Sequence, residues 1–204
     1  SEDFEDHPVG RPPGNWRLIP THAGEFEIAR MEGSNVLKQN ELGYRGAKLS
    51  TGYPGWHNYT VRCDFKVLRT AEDPSVAVVV YDQGLAHYAV HFNGRKVQLV
   101  RKADRQMETV RIQPVEAQTT LPRPFHAGGW WRCRVRAENL AAGKTRILVA
   151  IWPREQATPA DSQITWTETP GEGRAPLRRG RVGFRVTGAE VAFDNVRIMA
   201  DNGP

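Results

Sequence analysis

Apolar and polar residues alternate with a period of two along most of this chain, and no stretch shows a sustained helical period with capping residues. Such alternation predicts half-buried β-strands, because successive side chains of a strand point to opposite faces of a sheet. The clearest predicted strands are 58–68, 75–81, 87–92, 96–102, 107–112, 130–137, 145–152, 181–186 and 190–199. Weaker strands are predicted at 26–29, 35–39 and 47–49.

Turn signals separate these strands. Asn93 and Gly94 lie between two predicted strands and indicate a two-residue hairpin, because both residue types tolerate positive φ. Further reversals are expected at 82–84, at 141–144 and at Thr187 and Gly188. The longer stretches 114–129 and 153–179 are polar and rich in Pro, Gly and Thr, which is typical of loops.

About a dozen antiparallel strands with one apolar face each must bury those faces against one another, which gives a sandwich or a closed barrel. The number of strands favours two curved sheets, so the predicted fold class is an all-β, two-sheet antiparallel β-sandwich. No repeat of fixed period is present, which argues against a propeller or a solenoid. At 204 residues the chain suits one large domain, and we expect 1–204 to form it.

The net charge of +5 comes from 28 Lys and Arg against 23 Asp and Glu, and the basic residues are spread along the strands. A nucleic-acid partner would call for a clustered basic stripe or for stacking aromatic residues in a recognised motif, so none is predicted. The apolar runs are too short to cross a bilayer, which predicts no membrane insertion. The first residues include Asp3, Glu5 and Asp6 and do not form the basic-then-apolar pattern of a signal peptide.

The two cysteines, Cys63 and Cys133, each occupy an apolar position of an alternating run, so both side chains are expected to face the core. Two cysteines exclude a disulfide-dense scaffold and offer no zinc spacing. The sequence leaves open whether they are two buried thiols or one disulfide, because only a suitable Cα separation permits the bond.

Motifs distributed along nearly the whole chain carry a family resemblance. They are Asp3-Phe4-Glu5-Asp6, Pro13-Gly14-Asn15-Trp16, 33–37, 76–81, 87–90, 94–99, 131–135, 180–185 and 192–196. Together they resemble the concanavalin A-like jelly-roll superfamily, in particular its laminin-G-like and 3-keto-disaccharide hydrolase-like branches. The resemblance implies a jelly roll. Members of such families include lectin-like modules, glycosidases and domains without known activity, and one fold hosts many functions.

The resemblance also implies a structural Ca²⁺, since many relatives hold this ion between the acidic N-terminal segment and an acidic residue of the last strand. The matching carboxylates of this sequence are Glu5 and Asp194. Calcium takes six to eight oxygen ligands, so two carboxylates permit the site without defining it. The alternative is that Asp194 ends a hydrogen-bonded strand while Glu5 is solvated.

A catalytic set is not visible. Retaining glycosidases place two carboxylates about 5 Å apart, a separation that two-residue spacing on a strand can supply. Glu25 and Glu27 have this spacing, but an exposed strand face explains them better. No nucleophile elbow and no phosphate-binding loop occur. No catalytic residue is therefore predicted. If the chain is an enzyme, its carboxylates come from separate strands and loops, and the candidates are Asp64, Asp82, Glu108 and Glu138.

A concave sheet face is the predicted binding surface. His87 and His91 share one face of their strand, but their Cα atoms should lie roughly 13 Å apart, too far for easy joint ligation of one metal. Neighbouring strands are expected to add polar and aromatic side chains to this face: Arg62, Asp64, Trp130, Arg132 and Arg134. Aromatic rings and planar polar groups are suited to sugars, although a solvated sheet face would carry the same residues.

We therefore rank three hypotheses. The first is a non-catalytic carbohydrate-binding, lectin-like module, extracellular or periplasmic, that binds a glycan or polysaccharide on the concave face beside a partner domain or protein. The second is an interaction or assembly domain of a larger extracytoplasmic protein. The third is a glycoside hydrolase-like enzyme of the same fold, whose carboxylates come from separate strands and loops.

Overall fold

The computed structural model describes residues 3–18, 26–42, 47–102, 115–126, 128–171 and 175–201. This part of the chain is all-β, and no helix in it is long and apolar enough to span a membrane. Its strands are β1 (Trp16–Leu18), β2 (Phe26–Met31), β3 (Ser34–Gln39), β4 (Ala47–Thr51), β5 (Tyr59–Asp82), β6 (His87–Asn93), β7 (Lys96–Lys102), β8 (Val115–Thr120), β9 (Trp131–Asn139), β10 (Thr145–Pro153), β11 (Ile164–Glu168) and β12 (Arg181–Ala200).

The strands form two antiparallel layers that share the two longest strands. Sheet 1 has the order β1-β4-β12-β5-β6-β7-β8 and uses 181–187 of β12 and 75–82 of β5. Sheet 2 has the order β2-β3-β12-β5-β9-β10-β11 and uses 189–200 of β12 and 59–70 of β5. The long strands β5 and β12 run through both layers and link them. The two layers form the all-β sandwich that the sequence predicts.

The two long strands pass from one sheet to the other at a shared corner. In β12 the register shifts between Thr187 and Ala189, and Gly188 takes a φ of 60°. In β5 the facing residue Asp73 has a φ of 50°. Both φ values lie in the left-handed region, where glycine is favoured, and such residues bend and twist a strand.

One hydrophobic core fills the space between the sheets. The inward side chains of both sheets belong to a single buried cluster, and aromatic rings join the layers. Phe184 of sheet 1 stacks on Phe193 of sheet 2 with ring centroids 4.2 Å apart, and Phe65 of sheet 2 stacks on Phe92 of sheet 1 at 5.0 Å. Each such ring buries a large apolar area, so these contacts contribute strongly to holding the layers together.

Most predicted strands are confirmed, with three differences. The predicted strands 58–68 and 75–81 are parts of β5, and 181–186 and 190–199 are parts of β12. The reversal expected at Thr187 and Gly188 is wrong, because this pair forms a bulge inside β12. Strands β8 and β11 occupy segments expected to be loops, and β1 was not predicted. The predicted strand 107–112 lies outside the described residues.

The hairpin at Asn93 and Gly94 is confirmed, since Asn93 pairs with Lys96 and Gly94 has a φ of 56°. Cys63 and Cys133 face each other directly across β5 and β9, and both are free thiols in the core. Burial raises the pKa of both thiols, so both are expected to be unreactive in the folded chain.

Candidate functional site

Four of the predicted binding residues lie together on the outer face of sheet 2. Arg62 and Asp64 of β5 alternate with the core residue Cys63, and Arg132 and Arg134 of β9 face them across the sheet. The register places Arg62 opposite Arg134 and Asp64 opposite Arg132. The structure therefore places these four side chains on one face, as the sequence predicts.

Asp64 is the centre of a closed ion-pair network on this face. Its side chain is fully buried and accepts two hydrogen bonds from Arg132, at 2.5 Å to Oδ1 and 2.7 Å to Oδ2. Asn195 donates to Oδ2 at 3.2 Å, and Arg154 lies 3.5 Å from the same oxygen. A buried carboxylate that is paired in this way stabilises the local structure and has little capacity left for a ligand.

Trp130 is also engaged in contacts within the chain. The guanidinium of Arg154 lies over its ring, 5.3 Å from the centroid, and its indole N–H donates to Glu32 at 3.0 Å. Lys66 pairs with the same Glu32 carboxylate. Arg154 therefore covers the ring face at which a sugar would be expected to stack.

Arg62, Arg134 and Arg197 form a row across three strands of sheet 2. Arg62 lies 6.0 Å from the ring centroid of Trp152. Burial lowers the pKa of Arg62, and the charges of Arg132, Arg197 and Arg134 add to the effect. This row is the basic part of the sheet 2 face.

His87 and His91 lie elsewhere, on the outer face of sheet 1. Tyr88, Val90 and Phe92 of the same strand point into the core, so the two histidines point away from it. Because β6 belongs to sheet 1 and β9 to sheet 2, the structure does not bring the histidines together with Arg62, Asp64, Trp130, Arg132 and Arg134. The seven predicted residues occupy two opposite faces.

The outer face of sheet 1 carries a second polar group that the sequence did not single out. Across the sheet, Lys48 faces Arg185, Arg185 faces Ala77, and Ala77 faces His91. Four residues away from His91 on β6, beyond Ala89, His87 faces Lys102. We call Lys48, His87, His91, Lys102 and Arg185 the basic cluster. A floor of small apolar side chains, Ala77, Val79 and Ala89, lies among them.

The basic cluster is recessed although it points away from the core. Lys48 and His87 are each only 2% exposed, and Arg185, His91 and Lys102 are partly exposed. Asp82, also buried, accepts hydrogen bonds from Lys48 at 2.6 Å, from Ser50 at 2.6 Å and from the backbone N–H of Gly84 at 2.9 Å. Both oxygens of Asp82 are therefore occupied.

In the part of the chain that the structure describes, His87 has no hydrogen-bond partner on either ring nitrogen, and Nε of Arg185 has none. The nearest approach of His87 to a carboxylate is 4.0 Å, from Nδ1 to Oδ1 of Asp82, which is too long for a hydrogen bond. A buried polar group without a partner costs about 1–3 kcal/mol. Such groups call for an explanation, and a bound ligand is one.

The cluster also shifts the titration of its own members. Burial, followed by the charges of Lys48, Lys102 and Arg185, lowers the pKa of His87 well below its ordinary value. Burial and then Arg185 lower the pKa of His91 to about 4. Burial lowers the pKa of Lys48, Lys102 and Arg185 in the same way. Concentrated positive charge makes each further proton harder to hold.

Glu5 and Asp194, the predicted calcium ligands, lie close enough to interact. Burial raises the pKa of Asp194, and the charges of Asp64 and Glu5 add to that effect. Asp194 accepts hydrogen bonds from the backbone N–H of Asn195 at 2.6 Å and from its side chain at 3.0 Å. Glu5 accepts from the backbone N–H of Asn35 at 2.8 Å.

Three backbone carbonyl oxygens converge near these carboxylates. The carbonyls of Phe4, Glu5 and His7 lie 3.3 to 3.5 Å from the amide nitrogen of Asn35. Carbonyl and carboxylate oxygens are the ligands that calcium prefers. Within the described ranges, however, no three His, Cys, Asp or Glu side chains group in a way that could hold a metal ion.

The loose enzyme candidates are largely engaged in ion pairs. Asp64 and Asp82 are saturated as described above, and Glu138 pairs with Arg136 and Arg146 at 2.5 Å each. Glu108 lies outside the described residues. Since Asp64 belongs to sheet 2 and Asp82 to sheet 1, these carboxylates do not form one catalytic pair.

A cleft of about 420 Å³ lies at one end of the sandwich. It is lined by Tyr53, Pro54, Gly55, Gln83, Arg179 and Arg181. Tyr53 is 68% exposed, so the cleft presents an open aromatic ring beside two arginines.

No family model and no curated protein sequence matches the chain. Solved structures do match it in fold. The carbohydrate-binding module CBM66 from Bacillus subtilis matches with a TM-score of 0.62 and 12% identity, covering 91% of this chain and 95% of that one. The exoplasmic/lumenal domain of VIP36 in its Ca²⁺/Man3GlcNAc-bound form matches with a TM-score of 0.59 and 11% identity, covering 96% and 88%.

SCLam, a non-specific endo-β-1,3(4)-glucanase of family GH16, matches with a TM-score of 0.59 and 12% identity, covering 95% of this chain and 88% of that one. These likenesses extend over nearly the whole chain and show its fold, an all-β jelly-roll sandwich. The similar structures include a carbohydrate-binding module, a saccharide-bound lumenal domain and a glucanase, and at these identities the likeness concerns the fold alone.

Proposed function

We propose that this chain is a non-catalytic carbohydrate-binding module that holds a saccharide on the outer face of sheet 1, at the basic cluster. The observation that carries the proposal is His87, which is almost fully buried and, among the described residues, has no hydrogen-bond partner for either ring nitrogen. Folding a polar ring into this position costs stability, and a ligand that bonds to the ring would recover that cost.

The polar chemistry of the face suits a sugar. Arg185, His91 and Lys102 are partly exposed polar side chains on strands of one sheet. Saccharide sites use such polar groups to fix the hydroxyls of the sugar. The fold supports the same conclusion, since it is shared by a structure named as a carbohydrate-binding module and by a VIP36 domain in its Man3GlcNAc-bound form.

Two observations favour binding over catalysis. Asp82, the carboxylate that contacts the basic cluster, already accepts hydrogen bonds from Lys48, Ser50 and the backbone N–H of Gly84. The lowered pKa of His91, about 4, keeps that ring neutral and a weak base at physiological pH. A glycosidase needs one carboxyl group to donate a proton and a second to assist, and Asp82 alone cannot fill both roles.

His87→Leu tests the proposal in one variant. Leucine fills a similar volume without polar atoms, so the variant should be as stable as the parent chain or more stable, while saccharide binding should be lost. The measurement is a glycan array together with thermal unfolding. Arg134→Gln, on the opposite face, is the control and should bind normally. Unchanged binding by His87→Leu, or loss in Arg134→Gln, would contradict the proposal.

An assembly role makes a different prediction, because it needs no saccharide. In that case the array stays blank, and the chain co-elutes with a partner domain or protein in size-exclusion chromatography. We propose an extracellular or periplasmic location, where polysaccharides are accessible. The free thiols Cys63 and Cys133 are compatible with it because both are buried.

A structural Ca²⁺ is a separate part of the proposal. Glu5, Asp194 and the carbonyl oxygens of Phe4, Glu5 and His7 would hold it, with the side-chain oxygen of Asn35 after rotation of its amide. The ion would neutralise the carboxylates of Glu5 and Asp194. Added Ca²⁺ should then raise the unfolding temperature relative to EDTA, and Asp194→Asn should abolish the rise. An equal unfolding temperature in Ca²⁺ and EDTA contradicts this part.

A further inference from the structure

The basic cluster has a charge imbalance. It brings three permanently or normally charged side chains, Lys48, Lys102 and Arg185, and two histidines onto one recessed face. Among the described residues, the carboxylate that contacts the cluster is Asp82, whose ion pair is with Lys48. Within the described residues, Arg185 and Lys102 form no ion pair with a carboxylate on this face.

Several other cations of the molecule are paired with carboxylates. Lys66 pairs with Glu32, Lys38 with Glu190, and Arg132 with Asp64. Within the described residues, Nε of Arg185 is buried without a hydrogen-bond partner. Burial of charge without a counter-ion is unfavourable, because removing an ion from water costs several kcal/mol. A ligand that brings negative charge would remove this penalty.

The geometry restricts where such a charge would lie. Arg185 of β12 and His91 of β6 stand on either side of Ala77, and Lys102 of β7 stands beside His87. Strands lie about 4.8 Å apart. His87 and His91 are four residues apart on β6, so these two rows are separated by about 13 Å. The long side chains of Arg185 and Lys102 extend into this gap, where an anionic group would meet the guanidinium, the ammonium and the unpartnered ring of His87.

We infer that the saccharide is acidic and that its carboxylate or sulfate group binds among Arg185, Lys102 and His87. This inference rests on the proposed function and names the ligand class of that same site. Charge-assisted hydrogen bonds to a guanidinium or ammonium are stronger than neutral ones, so the acidic group supplies selectivity over a neutral sugar.

Matched pairs of probes test the inference by isothermal titration calorimetry. One pair is an oligogalacturonate and its methyl ester, and the other is a sulfated oligosaccharide and its desulfated form. The acidic member of at least one pair should bind roughly 10-fold or more tightly than its neutral partner. The two pairs separate a carboxylate ligand from a sulfate ligand.

Arg185→Gln and Lys102→Gln remove one charge each from the cluster, and Arg197→Gln removes one from the exposed end of the sheet 2 row as a matched control. Both cluster variants should lose roughly 10-fold in affinity for the acidic probe, and the control should retain it. Circular dichroism melting confirms that each variant is folded. Lys102→Gln, at a partly exposed position, remains informative if Arg185→Gln does not fold.

Three other results of these titrations would contradict the inference, the proposed function or both. Equal or tighter binding of the neutral probes overturns the acidic ligand and leaves the carbohydrate-binding function standing. An equal loss in Arg197→Gln overturns it too, since attraction to the net positive charge would then explain the binding. Absence of binding by every acidic and neutral glycan overturns both the inference and the proposed function.

Discussion

At the scale of single residues, His91 shows how a recessed basic face changes a side chain. Its Nδ1 lies 3.0 Å from the hydroxyl of Ser75, and burial together with the charge of Arg185 lowers its pKa to about 4. The groups around it are Ser75 of β5, Arg185 of β12, Gln98 of β7, and His87 on its own strand. The folded chain therefore keeps this ring neutral where the unfolded chain takes up a proton.

This shift predicts a pH dependence of stability. A histidine whose folded pKa lies below its unfolded value makes the folded chain less stable as the pH falls from about 6.5 to about 4. His91→Gln removes the titrating ring, so the free energy of unfolding should depend less on pH in that window. The loss of stability on lowering the pH should be about 1–3 kcal/mol smaller in the variant than in the parent. Urea unfolding at pH 7 and pH 4.5 measures it, with exposed His57→Gln as the control. Parallel pH profiles of parent and His91→Gln would contradict the burial of a neutral ring.

Asp64 gives a second prediction at this scale. Asp64→Asn removes the charge that Arg132 and Arg154 pair with inside sheet 2. Loss of one partner leaves the arginines uncompensated, so the free energy of unfolding should fall by roughly 2–4 kcal/mol. Glu155→Gln, which breaks an exposed pair with Arg123, should cost less than about 1 kcal/mol. Similar losses in both variants would show that the network is not structural.

At the scale of elements, the shared corner of β5 and β12 determines that the strands form two sheets. Gly188 has a φ of 60°, and a Cβ there would lie 3.0 Å from the carbonyl oxygen of Glu72. Gly94 has a similar φ of 56°, but its Cβ would meet open space. The two glycines therefore share a backbone conformation and differ in surroundings.

Gly188→Ala should cost at least about 1 kcal/mol more than Gly94→Ala, because it adds a steric contact to the strain of a positive φ. Chemical denaturation of both variants gives the comparison. Equal losses would mean that the corner adapts freely and does not constrain the two strands.

The sequence predicts most elements because alternation is a local signal. It places β6, β7, β9 and β10 within one or two residues of their observed bounds. The sequence prediction is wrong at the corner, where Gly188 indicates a turn. In the structure, β12 continues through this glycine because it pairs with β5 on both sides of it. The sequence prediction also misses β11, whose pairing with β10 from Thr145 to Val149 is not visible in local composition.

At the scale of the whole molecule, the candidate site is only partly visible in the sequence. The alternation correctly places Arg62, Asp64, Arg132 and Arg134 on one face. It cannot say which sheet each strand joins, so it groups His87 with residues of the opposite face. Lys48 and Arg185 were missed because they come from β4 and β12, far apart in the chain, and meet only through sheet register.

The ion pairs differ between the two outer faces of the sandwich. Asp64, Glu32, Glu138 and Glu190 pair with most of the cations around sheet 2. Among the described residues, the outer face of sheet 1 instead carries His87 and Nε of Arg185 without hydrogen-bond partners. Unpartnered polar groups on one face are suited to a ligand that brings its own polar groups.

The most direct test of the central claim is an NMR titration of the ¹⁵N-labelled chain with the saccharide that binds most tightly in the array. We predict that the amide signals that shift belong to β4, β6, β7 and the segments 75–82 and 181–187, which together make up the basic cluster and its floor. Shifts confined to β9, β10 and the row of Arg62 would place the ligand on sheet 2 and contradict the account.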